Sequence, residues 1–249
     1  MEKSQYDELR RQQNIHWWFL GKKEIVIDYA KHHAGFTANE NNKIIDVGCG
    51  MGLMLEELSH YGKIFGMDFE PEAVEFCKNS LGGGNVFDVR VGSIPYDVPF
   101  QENFFDYVFA LDVIEHVEND IEALIVLKKL LRPNGKLILT VPALMSMWSY
   151  NDELNHHFRR YEEKELLEKV EKSGLKIIHY SFYNSYLYPF AKAVRTLKNK
   201  LKIKTSDVSN NSKNSPVNFI LKKIFASEKY HLRKRKFNKG VSLIMACER

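Results

Sequence analysis

Asp46-Val47-Gly48-Cys49-Gly50-Met51-Gly52 is the string in this chain that offers the most chemistry. Glycines this close together permit a tight turn and let backbone N–H groups approach a ligand. A second acidic residue, Asp68, stands 20 residues after Gly48, where a carboxylate at the end of a second strand can accept hydrogen bonds from both hydroxyls of a ribose. Position 53 is Leu53, so the spacing is not the G-x-G-x-x-G of a dinucleotide fingerprint. No Gly-Lys-Ser/Thr follows, which excludes a P-loop. The turn suits a nucleoside, with little provision for a pyrophosphate.

Two further groups lie downstream. Asp112-Val113-Ile114-Glu115-His116 puts two carboxylates and an imidazole on about one helical turn. The stretch from Trp148 to Tyr161 gathers Tyr150, Asn151, Asp152, Glu153, His156, His157, Arg159 and Arg160. Asp112, His116, His157 and Tyr150 are the candidate catalytic residues, since side chains of these types can take or hold a proton.

These groups act together only if the elements between them bring them to one edge. Lys43–Val47 reads as a short strand, followed by a helix over 51–61. Ile64–Met67 is a second strand closed by Asp68, and Pro71 opens the next helix. Strands follow at 86–91, 105–111 and 137–141. The stripe Ile121, Leu124, Ile125, Leu127, Leu130 and Leu131 predicts a helix stopped by Pro133-Asn134-Gly135. A helix over 162–173 and strands at 175–182 and 241–247 complete the pattern. Strands alternating with helices of this length imply βαβ units and a parallel sheet covered on both faces. Residues 2–34 read as two short helices around His16-Trp17-Trp18-Phe19.

Four strings, in order, resemble the motifs of class I S-adenosylmethionine-dependent methyltransferases. They are Ile44 to Gly52, Phe65 to Glu72, Phe104 to Val117, and Leu131 to Lys136. The likeness spans about residues 43–183 and 241–248. His16-Trp17-Trp18-Phe19 and the His…Arg-Arg-Tyr loop resemble a bacterial subgroup often tied to saccharide or secondary-metabolite pathways. The resemblance implies S-adenosylmethionine as cofactor. Gly48 and Gly50 would lie against its amino-acid and ribose parts, and Asp46 would orient its ammonium. Asp68 would bind the ribose, Phe69 would pack on the adenine, and Leu111 would sit under the sulfonium. The family often has Gly-Asp after the third strand. Here Gly92-Ser93 stands instead, leaving the Ser93 hydroxyl and the Ile94 N–H for the base. Trp17 would close over the cofactor as a lid, or alternatively staple the N-terminal helices to the sheet.

The expected fold is therefore α/β, a three-layer Rossmann-like sandwich on a seven-stranded, mostly parallel sheet whose last strand is antiparallel. N-terminal helices precede it, and a helical basic insertion interrupts it before the last strand. The expected division is 1–40 as an N-terminal helical lid, 41–186 with 240–249 as the methyltransferase domain, and 187–239 as the insertion.

Composition sets outer limits. The chain has 249 residues, 44% hydrophobic and 27% charged, which excludes collagen-like, wholly disordered and coiled-coil classes. Three cysteines cannot build a disulfide framework. The longest uncharged stretch, Ile177 to Ala191, is shorter than the roughly 20 apolar residues that cross a bilayer, and no secretion leader is legible. These features point to the cytoplasm. The net charge of +4 conceals an asymmetry, because residues 187–239 hold 15 Lys/Arg against Asp207 and Glu228 alone. Such a segment can meet an anionic surface, whether membrane or phosphate, or simply stay solvated.

Three functions fit. The first is methyl transfer to an oxygen or nitrogen of a small-molecule acceptor. The second is methylation of RNA, favoured by the basic segment. Asp112-x-x-Glu115-His116 with His157 resembles the Glu-x-x-Glu-His pattern and distal histidine of small-RNA 2′-O-methyltransferases, which hold a divalent metal. Asp112 stands where that pattern has Glu, and the expectation here is no metal. The third is a non-catalytic cofactor-binding module. Oligomeric state is not legible.

Overall fold

A computed structural model describes residues 12–81, 86–204 and 215–249. The centre is a seven-stranded sheet formed by β1 (Lys43–Val47), β2 (Lys63–Asp68), β3 (Val86–Val91), β4 (Phe105–Leu111), β5 (Leu131–Pro142), β6 (Lys176–Tyr183) and β7 (Ser242–Glu248). Its order is β3-β2-β1-β4-β5-β7-β6. The first five strands run parallel, and β7 enters antiparallel between β5 and β6, as expected of the last strand. Interior strands buried on both faces read as continuous apolar runs, and Ile44, Ile45 and Val47 of β1 are almost wholly buried.

Helices cover both faces and leave two apolar clusters. On one side α4 (Asp120–Leu130) and α6 (Glu163–Lys172) bury Leu124, Leu127, Leu166 and Val170 against Val108, Leu137 and Leu139. On the other, α1 (Trp17–His33), α2 (Leu53–Leu58) and α3 (Pro71–Leu81) bury Ile25, Val26, Tyr29, Leu55 and Cys77 against Ile44, Phe109 and Ile138. α5 (Tyr150–Leu154) lies at the carboxyl edge, and α7 (Tyr188–Lys200) and α8 (Pro216–Leu232) make up the described part of the insertion. No helix among the described residues is long and apolar enough to cross a membrane.

Several element boundaries shift by a residue or so from the sequence reading, and three shift further, each for a local reason. α1 is a single long helix that starts inside the His-Trp-Trp-Phe cluster, because the His16 side chain accepts the Trp18 N–H as its N-cap. Of the first of the two short helices expected over 2–34, residues 1–11 lie outside the described residues. α2 starts only at Leu53, because Gly52 ahead of it holds φ +80°, a left-handed conformation outside the helix. Pro133-Asn134-Gly135 ends α4 but lies within β5, which begins at Leu131 and pairs irregularly with β4 until Tyr107 meets Lys136. Of the insertion's centre, the Ser- and Asn-rich stretch Thr205 to Pro216, residues 205–214 lie outside the described residues, and Ser215 and Pro216 open α8.

The strand order reverses between β1, whose outer neighbours are β2 and β3, and β4. Ligands of open α/β sheets bind in the crevice beyond the carboxyl ends of the strands at such a point.

Candidate active site

That crevice is a cavity of about 1080 Å³, larger than the pockets of roughly 300–1,000 Å³ that hold a single small ligand. Its walls come from the ends of β1, β2 and β4, from the loops after β3 and β5, from α1 and from both insertion helices.

The glycine turn is strained in the way the sequence requires. Gly48, Gly50 and Gly52 have φ of +73°, +51° and +80°. A Cβ on Gly48 would stand 2.6 Å from the Val113 side chain, so the backbone face toward the cavity must stay bare. The Gly48 and Cys49 N–H groups donate to the Met67 carbonyl at 2.7 and 3.0 Å, locking the turn onto β2. Asp68 accepts the Gly50 N–H at 2.7 Å and the Glu70 N–H at 3.0 Å, one on each oxygen. Asp68 is among the residues that line the cavity.

Asp46 sits at the bottom of the cavity, 3% exposed. Burial pushes its carboxyl up to about 7; Lys22 pulls it down and Asp68 pushes it up again. A buried carboxylate that is costly to ionise is a natural partner for a ligand ammonium. Phe69, 52% exposed, lines the wall beside it, and Ser93, Ile94 and Leu111 line the cavity as well. The nine residues expected around the cofactor therefore share one space. Trp17 is among them. Its ring meets Phe225 edge-on at 5.6 Å and its N–H donates to Asn218 Oδ1 at 2.8 Å, so the lid and staple readings apply to the same residue.

The acceptor side is reorganised relative to the sequence reading. Asp112 has φ +59° and is fully engaged: Oδ2 accepts from Lys22 Nζ at 2.7 Å and Oδ1 from the Thr140 hydroxyl at 2.8 Å. Burial would raise its carboxyl, but Lys22 and the two hydrogen bonds hold it below the usual carboxylate range. It is a poor proton acceptor. Tyr150 is not among the residues that line the cavity. The Ser149–Asp152 capping box sets the entry of α5, and the helix turns Asn151 and Asp152 inward; the Tyr150 ring instead has Lys204 5.7 Å from its centre.

His116 and His157 do meet, edge to face, with centroids 4.7 Å apart. His157 Nδ1 is 3.0 Å from Asp152 Oδ1, which also accepts from Arg160 Nε at 2.8 Å. Burial would raise the Asp152 carboxyl, but His157 and Arg160 keep it far below the ordinary range, so it stays ionised behind the imidazole. Burial and the neighbouring His157 press His116 down to about 4, leaving it neutral. Glu115 completes the group. It is fully buried, neither carboxylate oxygen has a hydrogen-bond partner, and burial with Asp112 nearby pushes it well up. Glu115, His116 and His157 offer donor atoms all within 4.8 Å of one another, and Asp112 is not part of that set.

Three residues of this arrangement escaped the sequence reading. Lys22 belongs to α1 and enters the cavity 5.1 Å from the Trp18 ring centre. Its signal was present, since Trp18 and Lys22 stand i, i+4 and share a helix face. Thr140 and Asn218 carried none, because a buried hydrogen bond between distant elements leaves no local spacing.

Comparison with known proteins bears on the family and the fold. Residues 45–139 match the family model described as a methyltransferase domain. A ubiquinone biosynthesis O-methyltransferase from Xanthomonas euvesicatoria pv. vesicatoria is 29% identical over 150 residues, 54% of this chain and 63% of the relative. The match thus spans under two thirds of that protein. Among solved structures, phosphoethanolamine N-methyltransferase 2 of Haemonchus contortus in complex with S-adenosyl-L-methionine aligns at TM-score 0.59 and 16% identity, covering 98% of this chain and 59% of that one. Geranyl diphosphate C-methyltransferase of Streptomyces coelicolor A3(2), in complex with Mg²⁺, geranyl diphosphate and S-adenosyl-L-homocysteine, aligns at 0.58 and 15%, covering 92% and 79%. At these identities the structures speak for the fold alone.

Proposed function

We propose, from the premise that this chain carries a class I S-adenosylmethionine-dependent methyltransferase domain, that it transfers a methyl group to an oxygen or nitrogen of a small-molecule acceptor. The observation that carries this reading is the juxtaposition, in one cavity, of the bare glycine turn with Asp46 and the Asp152–His157 pair. A cavity of about 1080 Å³ has room for cofactor and acceptor together. The name of the Xanthomonas relative supports oxygen as the acceptor atom, and saccharides and secondary metabolites both supply such oxygens.

The residues fit the cofactor. Asp46 would hold its ammonium and Asp68 its ribose hydroxyls, with Phe69, Ser93 and Ile94 around the base and Leu111 beside the reacting end. When bound, S-adenosylmethionine supplies a methyl group already activated on a sulfonium, so much of the rate comes from alignment. His157 lines the cavity with Nδ1 held by Asp152, which leaves its other nitrogen as the base that would take the acceptor proton. Lys22 ties α1 to Asp112 and positions the wall between the cofactor and acceptor regions.

A second reading keeps the reaction and adds a divalent cation at Glu115, His116 and His157. It is favoured by the two unpartnered oxygens of Glu115, and imidazoles with a carboxylate suit several such cations. The purified chain, supplied with S-adenosylmethionine and a fractionated lysate as acceptor source, tests both readings through the S-adenosylhomocysteine it releases. Turnover above the no-acceptor control supports methyl transfer, and none in any fraction contradicts it. Turnover that survives dialysis against a chelator removes the cation.

A further inference from the structure

The insertion contains an apolar surface that the described chain does not cover. α7 has no buried residue, and Phe190 and Leu197 along it and Leu201 at its C-cap are 70%, 58% and 60% exposed. Their spacing of seven and four places them on one helix face. α8 has two characters. One face buries Phe225, Glu228 and Leu232, and Asn218 caps α1 from its first turn. The other turns out Val217, Ile220 and Ile224, which recur every three or four residues, with Phe219 beside them, 62% exposed. Lys192, Arg195, Lys198 and Lys200 stand along α7, and Lys222, Lys223 and Lys229 along α8, where Lys222 and Lys229 also pair with Glu24 of α1. Glu228 is the only acidic residue among the described positions of 187–239, and it points inward, accepting the Ser185 and Tyr186 N–H groups at 2.7 and 2.8 Å. The outward charge of the described insertion is therefore all of one sign.

These two helices are also walls of the cavity. Phe190, Val194, Val217 and Leu221 line it, so one apolar surface runs from the acceptor space to the outside between α7 and α8.

We propose that α7 and α8 lie on an anionic lipid bilayer, and that the acceptor is an amphipathic molecule whose hydrocarbon chain passes between them while its polar end reaches His157. This rests on the methyl-transfer reading and names its substrate class. The chemistry of the surface selects the occupant. An interfacial helix sinks its apolar face into the acyl boundary while lysines meet anionic headgroups. RNA would satisfy the charge but leave Phe190, Leu197 and Phe219 in water. A second copy would cover the apolar faces but set lysine against lysine.

Co-sedimentation of the full chain with vesicles tests the surface. The chain pellets with vesicles of phosphatidylcholine and phosphatidylglycerol in equal parts and stays in the supernatant with phosphatidylcholine alone. Salt weakens the binding. The pairs Leu197→Glu with Leu201→Glu, and Phe219→Glu with Ile220→Glu, lie outside the cavity lining; each lowers vesicle affinity about tenfold or more while calorimetric binding of S-adenosylhomocysteine is unchanged. Wild-type chain left in the supernatant with anionic vesicles overturns the proposal. So does a dimer in light scattering that these pairs dissolve, or RNA binding that they leave intact. For the acceptor, methyl label from S-adenosylmethionine enters the organic phase of a lipid extract, and label confined to the aqueous phase overturns that half. Failure of the methyl-transfer reading is separate, because it is seen as no S-adenosylhomocysteine released with any acceptor fraction, aqueous or lipid, whatever the vesicles show.

Discussion

Asp46, whose carboxyl burial raises to about 7, would have to be ionised to pair with a ligand ammonium. Affinity for S-adenosylmethionine should be flat above pH 7 and fall by up to about tenfold per unit below it; calorimetry in buffers of different ionisation enthalpy will detect proton release near neutrality. Asp46→Asn removes both the release and the slope, and weakens binding. The same residue also affects folding. Its folded value lies above the ordinary 3.8, so the stability contributed by the protonated form is fully present below about pH 4 and is lost as pH rises through about 7. Ligand-free Asp46→Asn should therefore melt higher than wild type at pH 8, and equal melting would contradict the raised value. At the acceptor end, His157→Gln removes the proposed base. It should lower kcat roughly 10²–10⁴-fold at saturating acceptor with cofactor affinity unchanged, whereas a parallel loss of cofactor affinity would mark a merely structural residue.

Among the elements, α1 and α8 carry the consequence that sequence could not supply. Asn218 on α8 accepts the Trp17 N–H and donates to the Ile15 carbonyl at 2.7 Å, so one buried side chain holds the entry of α1 and, through α1, Lys22 and Trp18. Asn218→Ala leaves both backbone groups unpaired at a cost of about 1–3 kcal/mol. It should also raise the acceptor KM more than it lowers cofactor affinity, as steady-state kinetics with calorimetry will show. Strands such as β1 and β4 were legible because each is a short apolar run, and β1, β3 and β4 have the ends their sequences imply, whereas β5 starts earlier, through Pro133-Asn134-Gly135. Helix ends were less so, since they depend on caps such as His16 and on the backbone angle of Gly52. On the site, the glycines and Asp68 lie within one βαβ unit and could be read in line. Asp112 looked like a base because its partners, Lys22 and Thr140, come from elements 90 and 28 residues away.

For the whole molecule, ligand binding and folding are linked. S-adenosylhomocysteine at 100 times its Kd should add about 2.7 kcal/mol, a rise in Tm of about 5–10 °C for a chain of this size. The architecture predicts where that stability enters, because the cavity is walled by both ends of the chain and by the insertion. α1, α7 and α8 should gain more protection from hydrogen exchange than β6 or α6, which do not line the cavity. Isothermal titration of the purified chain with S-adenosylhomocysteine tests the central claim most directly. One molecule bound per chain, lost in Gly48→Ala, where the added methyl meets Val113, is the result expected of a glycine turn built for an adenosyl ligand. No heat from the wild-type chain, at a concentration where its thermal unfolding shows it folded, would contradict it.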